Sequence, residues 1–151
     1  MRITELLDPD DCRIEEALSL AAWVFDEIEA PMYPPEGRAH FMSFVNGKDL
    51  RDRIASGNFK VYICWEQCSI VGMMAIRDGS HISLAFVDNE HRGTGIGKEL
   101  FERIAADHPD TAFTVHAAPL AEEFYRKMGF APTDMERLED GIMYIPMERK
   151  P

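Results

Sequence analysis

A short glycine-rich segment carries the residues that are best suited to chemistry in this chain. It reads Arg92-Gly93-Thr94-Gly95-Ile96-Gly97-Lys98, with glycine at every second position between two cations. Glycine lets the backbone approach a ligand closely because it has no Cβ. Where such a segment enters a helix, its free N–H groups and the helix dipole favour an anion. The pattern therefore predicts a phosphate-type anion site at residues 92–98.

Two common phosphate-binding patterns do not fit this segment. The alternation of Gly93, Gly95 and Gly97 differs from the G-x-G-x-x-G spacing of dinucleotide-binding folds. No G-x-x-x-x-G-K-[ST] pattern leads into Lys98. Several elements also precede the segment, whereas a Rossmann fold places its loop after the first strand.

The elements that must position this loop follow from the hydrophobic periodicity. Apolar residues recur at helical spacing before residue 46 and at strand spacing from residue 59 onward. We predict helices over 11–30, 36–46, 96–108 and 119–128, with one or two further helical turns over 50–54, and strands over 2–6, 59–65, 70–77, 81–87, 111–115, 131–137 and 142–147. This order predicts one α/β domain over residues 1–151 with a mixed sheet.

Two motifs resemble those of one superfamily. Arg92-x-x-Gly95-x-Gly97 is similar to the Arg/Gln-x-x-Gly-x-Gly/Ala core of the acetyl-CoA motif in GNAT N-acetyltransferases. Phe124-Tyr125-Arg126-Lys127-Met128-Gly129-Phe130 is similar to the aromatic-Tyr-x-x-x-Gly-Phe end of a later helix in that superfamily. The order of elements resembles the superfamily over the whole chain. On this resemblance the chain is identified as a member of the GNAT superfamily.

The resemblance implies a cofactor site. In GNAT proteins the fourth and fifth strands, here 81–87 and 111–115, are parallel and splay apart, and pantetheine lies in the gap. Acetyl-CoA would be the acyl donor and CoA the product, with no metal. Backbone groups of Phe86 and Val87 would bind pantetheine, and an amide near Val87 would stabilise the oxyanion. The pyrophosphate would bind the amides of Arg92, Gly93, Thr94, Gly95, Ile96, Gly97 and Lys98.

Two further positions acquire roles from the resemblance. Tyr125 stands where the superfamily often places the acid that protonates the leaving thiolate. Because Phe124 and Met128 are expected on the core face of the helix, we predict Tyr125 off that face; the alternative is a packed aromatic residue. His116 follows the predicted fifth strand, where many relatives carry an asparagine that contacts the cofactor. It could donate a hydrogen bond, serve as a base, or be a surface histidine.

The amine-binding site is expected in the first two helices and their proline-rich connector. Tyr33, Glu36 and Phe41 are the predicted contacts, and Phe25, Glu29 and His40 are nearby in sequence. Acidic and aromatic side chains suit an ammonium group. Glu36 is also a candidate base, although a glutamate at a helix start can simply favour the helix dipole. His81 opens the fourth strand, close to where some relatives place a base; its alternative is a histidine at a hairpin edge.

Composition restricts the partners. The net charge of −11 disfavours nucleic acid and is compatible with a cationic amine, although an acidic surface also favours solubility. Three cysteines, an odd number, fit a reducing compartment. No apolar run approaches the roughly 20 residues of a membrane span, and no signal-peptide pattern opens the chain. We therefore expect a cytoplasmic protein without a membrane or nucleic-acid partner.

The resemblance favours one function. It implies an acetyl-CoA-dependent N-acetyltransferase that moves an acetyl group to a primary amine of a small molecule or peptide, by direct attack in a ternary complex. A non-catalytic acyl-CoA sensor of the same fold is the alternative. A phosphate- or nucleotide-binding domain is a second alternative, against which the motif around Tyr125 counts. Similar proteins are often homodimers, and the oligomeric state stays open.

Overall fold

The computed structural model describes residues 1–151. Its helices are α1 (Arg13–Val24), α2 (Pro35–Asn46), α3 (Lys48–Ala55), α4 (Ile96–Asp107) and α5 (Glu122–Lys127). Its strands are β1 (Arg2–Leu6), β2 (Phe59–Glu66), β3 (Ser69–Arg77), β4 (His81–Val87), β5 (Phe113–Ala117), β6 (Ala131–Pro132), β7 (Arg137–Glu139) and β8 (Ile142–Arg149). None of the helices has both the length and the apolar character that crossing a membrane requires.

The strands form one open sheet in the order β1-β2-β3-β4-β5-β8-β6, with β7 paired to β8. β1 to β4 are antiparallel neighbours, β4 and β5 are parallel, and β5 is antiparallel to β8. The prediction of a mixed α/β sheet with a parallel pair is therefore confirmed.

Each face of the sheet carries its own hydrophobic core, because successive side chains of a strand point to opposite faces. On one face, Leu84 and Phe86 pack with residues of α1, α2 and α3. On the other face, Ala85 and Val87 pack against a cluster that includes residues of α4 and α5. The two cores leave the middle of the sheet covered on both sides.

The fifth strand lies two residues further along the chain than the pattern predicted. Asp110 has a positive φ of 59°, and regular strand pairing begins only at Phe113, whose ring packs edge-on against Phe101 at 5.3 Å. His116 is therefore inside β5 and pairs with Pro146, instead of following the strand. The predicted strand over 131–137 is also wrong, because β6 and β7 are separated by a turn in which the Asp134 side chain accepts the Met135 N–H.

The end of the first helix departs from regular geometry. Residues Phe25–Glu29 form a π-helical turn in which the Ala30 N–H donates to the Phe25 carbonyl, and a 3₁₀ turn follows over Ala30–Met32. Pro31 is accommodated in that turn because the first positions of a helix need no N–H donor. Wider turns of this kind are rare inside helices and occur often at functional sites.

Candidate active site

The glycine-rich segment borders a large cavity between β4, α4 and α5, which we call the loop cavity. It has a volume of about 1040 Å³. Of the segment 92–98, the residues Arg92, Gly93, Gly95, Ile96, Gly97 and Lys98 line it. Thr94 does not line this cavity, and its hydroxyl donates to the His91 carbonyl. Every residue of the segment except Thr94 therefore borders the cavity.

The conformation of the segment explains its glycines. Gly93 and Gly95 have φ values of +76° and +87°, a region that other residues adopt only with strain. No atom lies within 4 Å of a Cβ built at either position. Helix α4 begins at the next residue, Ile96, so the positive end of its dipole adjoins the cavity. Gly97 has a different role, because a Cβ there would come within 2.8 Å of the Phe124 ring and separate α4 from α5.

Four cationic side chains line the loop cavity, although the protein as a whole carries a net charge of −11. Arg92 and Lys98 were predicted from the sequence, whereas Lys127 and Arg149 were not. Arg149 donates from Nε to the Met128 carbonyl at 3.0 Å and places its guanidinium 5.1 Å from the Phe101 ring centroid. Only the folding of β8 beside α5 brings this last residue to the site. The cavity therefore suits a polyanionic ligand.

The gap between β4 and β5 begins at an irregularity in β4. The two strands pair only at His81 with Thr114 and Ile82 with Val115. The next residue, Ser83, is an extra residue opposite β3, where Ile76 pairs with Ile82 and Ala75 pairs with Leu84. A bulge of this kind bends a strand. β4 therefore leaves β5 directly after the last parallel pair, and the splay that the resemblance implied is present.

A second cavity, of about 340 Å³, lies on the opposite face of the sheet under the π-helical turn Phe25–Glu29, α2 and the β7–β8 hairpin. We call it the aromatic cavity because Phe25 in its wall stacks on Phe41 at 3.9 Å and on Tyr33 at 5.9 Å between ring centroids. The Phe41 ring also meets Phe86 edge-on at 5.7 Å. Tyr33 and Phe41, two of the predicted acceptor contacts, therefore lie together in one site.

The two cavities meet at the splay. The residues that line both of them are Glu29, Ala85, Phe86, Ala118, Ala121 and Tyr125. Only Glu29 and Tyr125 among these six have side chains that can exchange protons. A ligand in the loop cavity and a ligand in the aromatic cavity would thus approach each other beside these two side chains.

Glu29 is the acid at this junction. It forms no ion pair with any residue of the chain, and burial raises its pKa to about 7, an effect that the positive charge of Arg92 partly offsets. Burial, together with the negative charge of Glu29, raises the pKa of Tyr33 to about 12. A carboxylate whose pKa is near neutrality can both accept and release a proton at physiological pH.

Tyr125 lies in the core, with only 4% of its surface exposed. The prediction that it is turned off the core face is wrong, since Phe124 and Met128 are the less buried residues of this turn. Its ring packs edge-on against Phe124 at 5.0 Å and Phe130 at 5.3 Å. Burial and the charge of Glu29 raise the pKa of Tyr125, which keeps its hydroxyl protonated. The residue is thus held as a neutral proton donor.

The two histidines lie in the aromatic cavity. His81 Nδ1 is 2.8 Å from the Thr114 hydroxyl, and burial with the nearby Arg77 charge lowers the pKa of His81 to about 4. His116 meets His81 edge-on at 4.8 Å and stacks on Tyr144 at 4.2 Å. Burial also lowers the pKa of His116. Both imidazoles are therefore neutral, and His116 lines the aromatic cavity without lining the loop cavity.

The structure does not bring Glu36 to the site. It is exposed in the first turn of α2 and lines neither cavity. Its neighbour Gly37 is buried against the β7–β8 turn, and glycine is required there because a Cβ would lie 2.3 Å from the Gly141 carbonyl oxygen. This backbone contact packs α2 against the β7–β8 turn, and His40 and Asp140 of these two elements line the aromatic cavity while Glu36 lies outside it.

Comparison with known proteins identifies the family. Residues 29–151 match the protein family described as "Acetyltransferase (GNAT) domain". This chain belongs to the GNAT acetyltransferase family. A peptidyl-lysine N-acetyltransferase, YjaB, of Salmonella typhimurium is 36% identical over 76 residues. That match covers 50% of this chain and 52% of YjaB, so it spans about half of each protein.

Solved GNAT structures share the fold over nearly the whole chain. A GCN5-related N-acetyltransferase from Rhodopseudomonas palustris superposes with a TM-score of 0.79 at 19% identity, covering 100% of this chain and 96% of that one. The PaiA N-acetyltransferase from Thermoplasma acidophilum, solved with coenzyme A, superposes with a TM-score of 0.78 at 16% identity, covering 100% and 99%. At these identities the likeness establishes the fold.

The sequence alone did not single out Glu29, the acidic residue that lines both cavities. It was one of several acidic or aromatic residues near the connector, and Glu36 was preferred for its place at a helix start. One available signal was position, because an acid at the C-terminal end of a helix opposes the helix dipole. An acidic residue at the C-terminal end of a helix, with no cation nearby in sequence, is a candidate for function.

Proposed function

We propose that this protein is an acetyl-CoA-dependent N-acetyltransferase that acts on a primary amine by direct attack in a ternary complex. The observation that carries the proposal is the junction of the two cavities, where Glu29 and Tyr125 line both. A donor bound on one side and an acceptor bound on the other would meet beside one group able to take a proton and one able to give a proton.

The loop cavity fits acetyl-CoA. Backbone amides of the segment 92–98 other than Thr94 would bind the pyrophosphate, with Arg92, Lys98, Lys127 and Arg149 adding positive charge. Phe86 and Val87, beyond the last β4–β5 pair, would offer backbone groups to pantetheine. The CoA complex of the Thermoplasma acidophilum relative supports the same ligand class. His116 does not line the loop cavity, so we do not propose it as a cofactor contact.

The proton path follows from the pKa values. Glu29, with a pKa of about 7, would accept a proton from the ammonium group, which frees the nitrogen lone pair for attack. The new N–C bond forms as the C–S bond breaks, and Tyr125 would donate a proton to the leaving thiolate. The nitrogen, left positively charged by the attack, would give its second proton to the Tyr125 phenolate, and Glu29 would release the proton it took to solvent. Both side chains return to their starting states, and the reaction releases one proton net.

The aromatic cavity favours an amine on an apolar stem. Phe25, Tyr33 and Phe41 form its walls, and the neutral rings of His81 and His116 offer hydrogen-bonding nitrogens without a repelling charge. A lysine side chain in a peptide fits this description, and the name of the Salmonella relative supports that class. A small arylalkyl or alkyl amine fits the same chemistry.

An amine panel tests the proposal. Thiol release from acetyl-CoA would be measured with a lysine-containing peptide, alkyl and arylalkyl primary amines, and the alcohol of each skeleton as matched control. We expect turnover with at least one primary amine and none with its alcohol. Thermal shift with acetyl-CoA, CoA, NAD and ATP runs alongside, with stabilisation expected for the first two. CoA binding without turnover on any amine would favour the sensor alternative, and stabilisation by NAD or ATP alone would refute the cofactor assignment.

A further inference from the structure

An arginine at the edge of the sheet reaches the glycine-rich segment from outside the loop cavity. Arg2, the first residue of β1, donates from Nη2 to the Thr94 carbonyl at 3.1 Å and to Glu99 Oε1 at 2.8 Å. Its Nη1 lies 3.4 Å from the Thr94 hydroxyl. One guanidinium therefore joins the segment to the first turn of α4.

Glu66, the residue opposite Arg2 on β2, also connects the edge of the sheet to the loop. Arg2 is paired with Glu66 in the β1–β2 register, and Glu66 lies 3.8 Å from Nε2 of His91, at the start of the same loop. His91 is also held by Asp88, 3.1 Å from its Nδ1. The edge of the sheet thus contacts both ends of a segment that has two positive-φ glycines.

The contact with the Thr94 carbonyl has a geometric consequence. In a trans peptide the C=O and the following N–H point in opposite directions. Arg2 and Thr94 do not line the loop cavity, whereas Gly95 does. Fixing the Thr94 carbonyl toward Arg2 therefore directs the Gly95 N–H toward the cavity, where an anion would accept it.

We propose that Arg2 is a positioning residue for the anion site: it orients the Thr94–Gly95 peptide so that the Gly95 amide is ready to bind the ligand phosphate. The inference rests on the proposed use of the loop cavity by acetyl-CoA. Without Arg2 the segment would have to lose conformational freedom on binding, because glycine backbones are the most mobile. Arg2 touches neither the thioester nor the amine, so the chemical step would be unaffected.

The test compares Arg2→Met with two controls. Glu99→Gln weakens the ion pair while leaving the Thr94 carbonyl in reach of Arg2. Arg13→Met removes another β1 ion pair, with Glu5 at 2.9 Å, that is remote from the loop. For Arg2→Met we expect the Kd for CoA, by titration calorimetry, and the KM for acetyl-CoA to rise about tenfold. We expect kcat and the acceptor KM to change less than twofold, and both controls to bind CoA like the wild type.

Three results separate the possible failures. If wild-type protein does not bind CoA, the proposed function fails before the inference is reached. If wild-type protein binds CoA and folded Arg2→Met binds it within twofold of the wild type, the positioning role is refuted. An equal loss of affinity in Arg13→Met would refute it too, since a general loss of stability would then explain the effect. Arg2→Gln gives the same comparison if Arg2→Met does not fold.

Discussion

Replacing Glu29 with glutamine changes the acid at the junction of the two cavities with little change of shape. The carboxyl prefers its neutral form in the folded protein, with a pKa of about 7 against an ordinary value of 4.5. A glutamine amide resembles that neutral form and cannot ionise. The substitution therefore removes a charge that burial disfavours and, at the same time, the proposed proton acceptor.

The stability effect has a definite sign. Below about pH 4.5 Glu29 is protonated in both folded and unfolded chains, and the variant should match the wild type. As the pH rises from about 4.5 to about 7, the unfolded chain ionises ahead of the folded chain, so the wild type loses stability and the variant does not; above about 7 the difference is constant. The gap in pKa corresponds to roughly 3 kcal/mol, which solvent contact of the half-buried side chain reduces to about 1–2 kcal/mol. Urea unfolding at pH 5 and pH 8 measures this difference.

Glu29→Gln should lower the activity, whereas it raises the stability at high pH. Loss of a proton acceptor typically lowers the rate about 100-fold or more. The amine itself titrates, so the useful quantity is the ratio of wild-type to Glu29→Gln kcat/KM for one amine at saturating acetyl-CoA. We expect this ratio to rise with pH and to level off above about 7, because wild-type Glu29 becomes ionised there.

Glu36→Gln is the matched control. It makes the same chemical change at an exposed position that lines neither cavity, and we expect stability and kcat/KM within twofold of the wild type. A Glu29→Gln enzyme that keeps its kcat/KM at all pH values would refute Glu29 as proton acceptor. A variant that is less stable than the wild type at pH 8 would refute the reasoning about its burial.

Three further substitutions test other parts of the site. Tyr125→Phe keeps the buried ring and should lower kcat about 100-fold, measured by thiol release, with little change in CoA affinity, measured by calorimetry. A kcat near the wild-type value, under conditions where chemistry limits the rate, would contradict Tyr125 as the proton donor. Gly95→Val places a branched residue at φ +87° and should abolish CoA-dependent thermal stabilisation, and a folded variant that CoA still stabilises would sink the phosphate assignment. Gly37→Ala forces α2 away from the Gly141 carbonyl and should destabilise the fold by about 1–3 kcal/mol. It should raise the KM for the acceptor and leave the KM for acetyl-CoA unchanged; a change in the acetyl-CoA KM alone would contradict the assignment of the aromatic cavity to the acceptor.

Local sequence was sufficient for the loop and the fold class. Alternating glycines between Arg92 and Lys98 predict an anion site because glycine conformation and helix-terminal N–H groups depend on a few consecutive residues. The change from helical to strand spacing at residue 59 likewise depends on local periodicity, and it predicts the mixed sheet that the structure contains.

Short-range reasoning was less successful at element ends and on helix faces. β5 begins at Phe113 because its pairing with β8 starts there, opposite Arg149, a residue from a distant part of the chain. Tyr125 is buried although two apolar neighbours predicted the core face elsewhere, since α5 packs between α4 and β8 with Phe130 beside it. Which side of a short helix is buried depends on what surrounds it.

The sequence by itself determined the family resemblance, the prediction of a mixed sheet and the prediction of an anion site at the glycine-rich loop, since each rests on motifs or periodicity carried by short stretches of the chain. The tertiary structure alone decided which acid meets Tyr125. Glu29 and Glu36 are equivalent in type and seven positions apart, and only the π-helical turn and the Gly37–Gly141 contact place the first at the junction and the second in solvent. The pKa of a carboxyl depends on its burial and the charges around it, and these are properties of the folded chain.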